Sequence, residues 1–311
     1  MKQQPVWETR AHGKLLLTGE YGVLNGALAL ALPVRYGQRL EVGPLESPAI
    51  LRWMSRDRQG AVWFEAEYSL IDLAIVRTAH RKTAEVLQQI LAACRRQNPA
   101  FLNGEYGVLA RTHTEFPRDW GLGTSSTLIA ALARWAGVDP YAVLFDTLGG
   151  SGYDIACAYA GGPILYRLTD GRAPSVQPVH FEPAFAAHLF FVFLGKKQNS
   201  REGIRHYRER AAAGTGLPEA LSQCTRQCLE AQTLDGFARV LLEHERLIAQ
   251  ALGLPRAQER FFPDFPGVVK SLGAWGGDFV LAVAQEKPEQ ISAYFGKKGF
   301  STCIPYRELV L

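Results

Sequence analysis

No stretch of this sequence stays apolar for the roughly 20 residues that a membrane-spanning helix needs, and the N-terminal MKQQPVWETR lacks the apolar core of a secretory leader. The expectation is a cytoplasmic protein with no membrane partner. Cysteine is scarce and odd in number: Cys94, Cys157, Cys224, Cys228 and Cys303. Cys224 and Cys228 share a helical spacing, yet no second Cys or His pair sits at ligand spacing, so reduced, partly buried thiols are expected rather than a disulfide framework or a metal module. Charge of one sign is nowhere concentrated. The net charge of +4 is spread through interleaved acids and bases, which argues against a nucleic-acid partner and leaves room for a mildly basic cleft around an anionic metabolite. Repeats and low-complexity tracts are absent, and so is the regular βαβ rhythm of a doubly wound sheet.

What is present is ample apolar material, 47% of 311 residues, enough for about two domains at roughly 150 residues each. Strands are expected at HGKLLL, GVLARTH, PILYRL, HLFFVFLG and near Cys303. Helical spacing runs through about Ile71 to Arg96, with Val86, Leu87, Ile90 and Leu91 apolar. A second helix carries Leu128, Ala131, Leu132 and Trp135 and stops at Gly137. Asp139 and Pro140 suit the N-cap and first position of a third. Further helices are expected over Pro218 to Gln232, over Asp235 to Leu252, with Phe237, Val240, Leu241, His244, Leu247 and Ile248 on one face, and near Glu289 to Phe295. The turn-rich TDGRAPSVQPVHFEP reads as a change of domain. The fold class is therefore α+β, divided into residues 1–178 and 179–311.

The chemistry centres on FPRDWGLGTSST, Phe116 to Thr127, which runs directly into a helix. A helix N-terminus offers unpaired N–H groups and partial positive charge, glycines let backbone approach an anion closely, and hydroxyls add donors or a metal ligand. Gly121, Leu122, Gly123, Thr124, Ser125 and Ser126 supply all three. The string matches neither the P-loop nor the dinucleotide fingerprint. Taken alone, it is equally the start of a self-capped helix.

Four segments in order, GKLLLTGEYGVLNG, GLGTSST, SGYDIACAYAGG and GAWGGDFVLAV, resemble the GHMP small-molecule kinases across nearly the whole chain. PRDWGLGTSST is similar to that family's phosphate motif, with Thr124 and Ser126 as departures, and Trp275 stands where the family usually has glycine. The resemblance implies two domains, an N-terminal one containing a β-α-β unit and a ferredoxin-like C-terminal one. It implies ATP and Mg²⁺ as cofactors, with the turn from Gly121 to Ser126 on the ATP phosphates. Asp154 of SGYDIA matches the catalytic aspartate, and Lys14 matches the lysine that supports it. Ser125 matches a magnesium ligand, with Asp146 the nearest candidate for a second.

Acceptor contacts implied by the same resemblance are Glu20 and Tyr21 in GEY, Gly152, Lys197, Ser200 and Arg201, and Gly276 with Gly277. GEY and the Asp278 that ends GGD look more like phosphomevalonate kinases than mevalonate kinases. The basic segment with Lys196, Lys197, Arg201 and Arg205 suits an acceptor that already carries phosphate, or is simply a solvated basic helix. The expected activity is ATP-dependent phosphorylation of phosphomevalonate or mevalonate. A lyase related to diphosphomevalonate decarboxylase and a non-catalytic binding protein of the same fold are the alternatives. Monomer and homodimer both stay open.

Overall fold

The computed structural model describes residues 7–169, 172–196, 200–210, 216–273, 275 and 278–311. The chain forms two compact units, each drawn from separate stretches of sequence: Met1–Gly13, Tyr36–Arg118 and Gly123–Tyr159 in the first, Lys14–Arg35, Asp119–Leu122 and Ala160–Leu311 in the second. Strands β1 (Trp7–Thr18) and β2 (Ala29–Leu45) each contribute residues to both.

In the first unit the sheet order is β5-β4-β3-β6-β2, with β3 (Ile50–Arg56), β4 (Val62–Ser69), β5 (Ile75–Thr78) and β6 (Gly107–Thr114). β3 runs parallel to β6, while the β2–β6, β3–β4 and β4–β5 pairs are antiparallel. Alternating burial along β3 and β4 turns Leu51, Trp53, Phe64 and Tyr68 inward, where they meet Leu87, Ile90 and Leu91 of α1 (Arg81–Gln97). The same core takes Ile129 and Leu132 of α2 (Thr124–Ala136), Val143 of α3 (Pro140–Thr147) and Ile155 of α4 (Tyr153–Tyr159).

The expected helix over 71–96 starts ten residues late. Residues Ile75–Thr78 pair with β4 instead, and Val86 lies on the solvent side. Gly137 ends α2 in the left-handed conformation, and Asp139 caps α3 by accepting the Tyr141 N–H, both as the spacing predicts.

In the second unit β7 (Ile164–Thr169) pairs with the start of β2 and with β8 (Ala173–Pro178). Residues Ala173–Pro178 of the segment that reads as a change of domain thus form an edge strand. Its prolines and exposed polar residues hide the alternation, and an edge tolerates both. A four-stranded antiparallel sheet, order β10-β11-β9-β12, joins β9 (Leu189–Phe193), β10 (Val268–Leu272), β11 (Phe279–Val283) and β12 (Cys303–Pro305). Around it stand α5 (Ser200–Arg210), α6 (Leu217–Glu230), α7 (Leu234–Leu252), α8 (Ala257–Phe261), α9 (Pro288–Lys297) and α10 (Tyr306–Leu309). Phe262, Val269, Val280, Ile291 and Phe295 form one apolar core, and Tyr21, Tyr207, Leu221, Ile248 and Leu252 another.

Candidate functional site

The glycine-rich turn is built where one short piece of chain is clamped and the next starts a helix. Trp120 packs edge-on against Phe279, with ring centroids 5.5 Å apart, and lies 6.2 Å from Phe193. Gly121 has φ of 68°, and a Cβ added there would stand 2.4 Å from the Asp278 carboxyl carbon, so only glycine fits. Lys14 donates from Nζ to the Gly121 carbonyl at 2.9 Å and from its backbone N–H to the Leu122 carbonyl at 3.0 Å. The cation expected beside the reacting groups therefore lies on the turn itself.

Gly123, left-handed with φ of 92°, occupies the N-cap of α2 and leaves its first turn without a capping side chain. The first helical bond runs from Thr127 N–H to the Gly123 carbonyl. Ser126 is buried and donates its hydroxyl back to that carbonyl at 2.9 Å, and Thr127 donates to Gln38 Oε1 at 2.7 Å. Ser125 is exposed and Thr124 half-buried. Two of the three expected hydroxyls, Thr124 and Ser125, thus remain accessible at the start of a 13-residue helix, where the first amides have no intrahelical acceptor.

Asp154 lies in the first turn of α4, where Ile155 N–H donates to its Oδ1 at 3.0 Å. Gly152, at φ of 87°, supplies the carbonyl that accepts from Ile155 and Ala156, which makes it the backbone cap of this helix. Helix α4 packs on α2 through Ala158 against Ala130, and Tyr159 donates its hydroxyl to the Ala130 carbonyl at 2.8 Å. Both helices that carry expected catalytic or phosphate-binding residues at their starts are therefore seated together in the first unit. Asp146 is an exposed residue of α3. Among the described residues no three His, Cys, Asp or Glu side chains converge as a metal cage. An exposed serine hydroxyl at a helix start fits a magnesium ion whose other ligands are phosphate oxygens and water.

The first unit also carries a cavity of about 570 Å³ that the sequence did not reveal, lined by Trp63, Phe64, Arg77, Thr78 and His80 among others. Arg118, three residues before Gly121, lays its guanidinium 3.3 Å from the centre of the Trp63 ring.

No protein-family model matches the chain, and no curated protein matches its sequence. Solved structures do match. A Streptococcus pneumoniae phosphomevalonate kinase in complex with phosphomevalonate and AMPPNP superposes with a TM-score of 0.72 at 16% identity, covering 96% of this chain and 99% of that one. The L. major mevalonate kinase in complex with R-mevalonate gives 0.67 at 18% identity, over 95% and 94% of the two chains. A Lactococcus lactis galactokinase complexed with galactose gives 0.63 at 12% identity, over 96% and 89%. The chain has the fold of the GHMP small-molecule kinases.

Within this GHMP fold the expected acceptor residues divide sharply. Glu20 is 3% exposed, and its carboxylate faces Lys270 and His244 rather than solvent. Tyr21 stacks on Tyr207 at 5.4 Å and accepts the Trp275 N–H at 3.0 Å. The Trp275 ring, which stands where the family usually has glycine, donates from Nε1 to the Pro255 carbonyl at 3.0 Å and packs on the Tyr21 core. Arg201 is an exposed residue of α5. Lys197, Gly276 and Gly277 lie outside the described residues, as does the side chain of Ser200.

Burial raises the Glu20 carboxyl pKa, against the opposing charge of Lys270, and holds His244 well below its usual value. Glu245, next along α7, is pushed by burial up to about 8. His244 was visible in the sequence only as a member of an apolar helix face. Lys270, inside the strand-like VVKSL, was not singled out. Its position in an otherwise apolar strand was the available signal.

Proposed function

We propose that this protein is an ATP-dependent kinase that phosphorylates the hydroxyl of a small acceptor, phosphomevalonate or mevalonate. The observation that carries the reading is the turn Gly121–Ser126 opening α2, with Lys14 Nζ on its carbonyl, Ser125 exposed, and the Asp154 helix packed against the same α2. Phosphoryl transfer asks a protein mainly for positioning and charge compensation. Backbone amides at the start of α2 hold the phosphates, and Lys14 adds positive charge at the turn. The cavity beside Arg118 and Trp63 suits the nucleobase, because a planar ring can join the arginine–tryptophan stack.

Asp154 accepts the proton of the acceptor hydroxyl as its oxygen forms the new bond to the terminal phosphorus and the bond to ADP breaks. Ser125, with Asp146 as a second candidate, is the side chain that would hold Mg²⁺, which when bound neutralises phosphate charge. Glu20 acts as support for the acceptor side, since its carboxylate is turned inward, and Tyr21 and Arg201 are the described candidates for acceptor contact.

The deciding experiment incubates the protein with ATP and a panel of mevalonate, phosphomevalonate, homoserine and sugars and reads products by mass. Gain of one phosphoryl group on a mevalonate-type acceptor is expected. Transfer only to a sugar would redirect the acceptor assignment, and release of carbon dioxide from diphosphomevalonate would replace the kinase with the lyase.

A further inference from the structure

The second unit holds a set of buried polar side chains for which the phosphoryl-transfer steps have no use. Lys270 sits at the centre of β10 with no exposure and donates from Nζ to Glu20 Oε1 and, at 2.9 Å, to the Ser271 carbonyl. Glu20 Oε2 lies 3.2 Å from His244 Nε2, and that same nitrogen accepts the Gly19 N–H at 2.8 Å. An accepting Nε2 means a neutral ring with its hydrogen on Nδ1. Lys270 and His244 thus grip one short stretch of chain by its side chain and its backbone together.

That stretch is strained. Gly22 N–H donates to the Glu20 carbonyl at 2.6 Å across a three-residue turn whose centre, Tyr21, has φ of 57° and ψ of −46°. This is the rare positive-φ form of the γ-turn, outside even the left-handed well that other residues occasionally visit. A tyrosine stays there only when its surroundings over-determine it. The conformation delivers the Tyr21 hydroxyl to two other elements. It accepts from Trp275 in the turn before β11, and it abuts Gly203 of α5 so closely that a Cβ there would come within 2.7 Å of it.

We propose that Lys270 and His244 are positioning residues that, through Glu20 and Gly19, clamp the γ-turn and set Tyr21 for acceptor binding. The acceptor half of this rests on the kinase reading; the clamp does not. A buried ion pair serving stability alone can often be exchanged for apolar groups without local consequence. Here the bonds converge on the two residues preceding one strained tyrosine, so the consequence is local.

Hydrogen exchange of the free protein, read by mass spectrometry over peptides covering Gly19–Asn25, tests the clamp. Lys270→Met and His244→Phe should speed exchange there at least tenfold while peptides of the first unit keep their rates. His244→Gln, whose amide oxygen can still accept the Gly19 N–H, should stay near the parent protein. Should the single changes prevent folding, Glu20→Gln with Lys270→Met removes both charges at similar volume and should give the same local signature. Unchanged exchange at these peptides, or an equal rise everywhere, overturns the clamp. In the activity arm, with mevalonate and phosphomevalonate as probes, the acceptor KM of Lys270→Met should rise at least tenfold with AMPPNP affinity unchanged. An unchanged KM overturns the acceptor half. Parent protein inactive on every acceptor overturns the kinase reading, and exchange then decides the clamp by itself.

Discussion

At Gly121 the backbone leaves no choice of residue. Its φ is left-handed and the Asp278 carboxyl fills the space a side chain would need, so Gly121→Ala combines about 1 to 2 kcal/mol of backbone strain with a steric clash. Phosphoryl transfer should fall at least tenfold, checked by steady-state kinetics at saturating acceptor. Asp154→Ala should lower kcat by about 10² to 10⁴, the usual weight of a positioned acid or base, while calorimetry shows AMPPNP still binding. Turnover at the parent rate would remove Asp154 from its role. Ser125→Ala should raise the magnesium concentration needed for half-maximal rate and leave the circular dichroism spectrum unchanged, because the Ser125 side chain is exposed. The residues behind these expectations were legible as local strings, since glycines, hydroxyls and an aspartate in two short motifs carry their chemistry within one turn of chain. The room around Gly121 was not, because the carboxyl that closes it belongs to residue 278.

Among the elements, the start of the glycine-rich segment is anchored by a single carboxylate. Glu115 accepts from Arg10 of β1, from Arg39 of β2 and from the Gly37 N–H, and its own N–H donates to the Gly37 carbonyl. Burial alone would raise its pKa, but the arginine and backbone hydrogen bonds prevail and hold it at about 2. A depressed carboxyl contributes stability that is complete above its ordinary value of 4.5 and lost as pH falls from there towards 2. Glu115→Gln should therefore cost about 1 to 3 kcal/mol at neutral pH and flatten the acid limb of a plot of Tm against pH. Parallel acid limbs for the two proteins would sink this. The helices around the site were largely readable from period and caps, as α2, α3, α6 and α7 show. The residues of strand β5 fall inside a helix pattern, and those of β8 inside a turn-rich stretch that reads as a change of domain. In both, the deciding hydrogen bonds come from a partner strand and leave no trace in local composition.

For the whole molecule, the opposite pH limb belongs to Glu245. Burial pushes its carboxyl up to about 8, against the lowering charge of Lys270. The unfolded chain ionises that group near 4.5 while the folded one keeps its proton, so stability falls as pH climbs from about 4.5 to about 8 and levels beyond. Glu245→Gln should keep Tm nearly constant from pH 5 to pH 8, where the parent protein declines, measured by calorimetry. An equal decline in both would show that the carboxyl is ionised in the folded state. The sequence by itself determined the α+β class, the helix that opens at the glycine-rich turn, and the GHMP resemblance that the fold now matches, because each depends on spacing within a few residues. Only the tertiary structure decided that Glu20 turns inward to Lys270, 250 positions away, that Arg118 lies over Trp63, and that each unit draws on separate stretches of the chain. Those outcomes depend on which distant surfaces are buried together, and burial is a property of the folded chain.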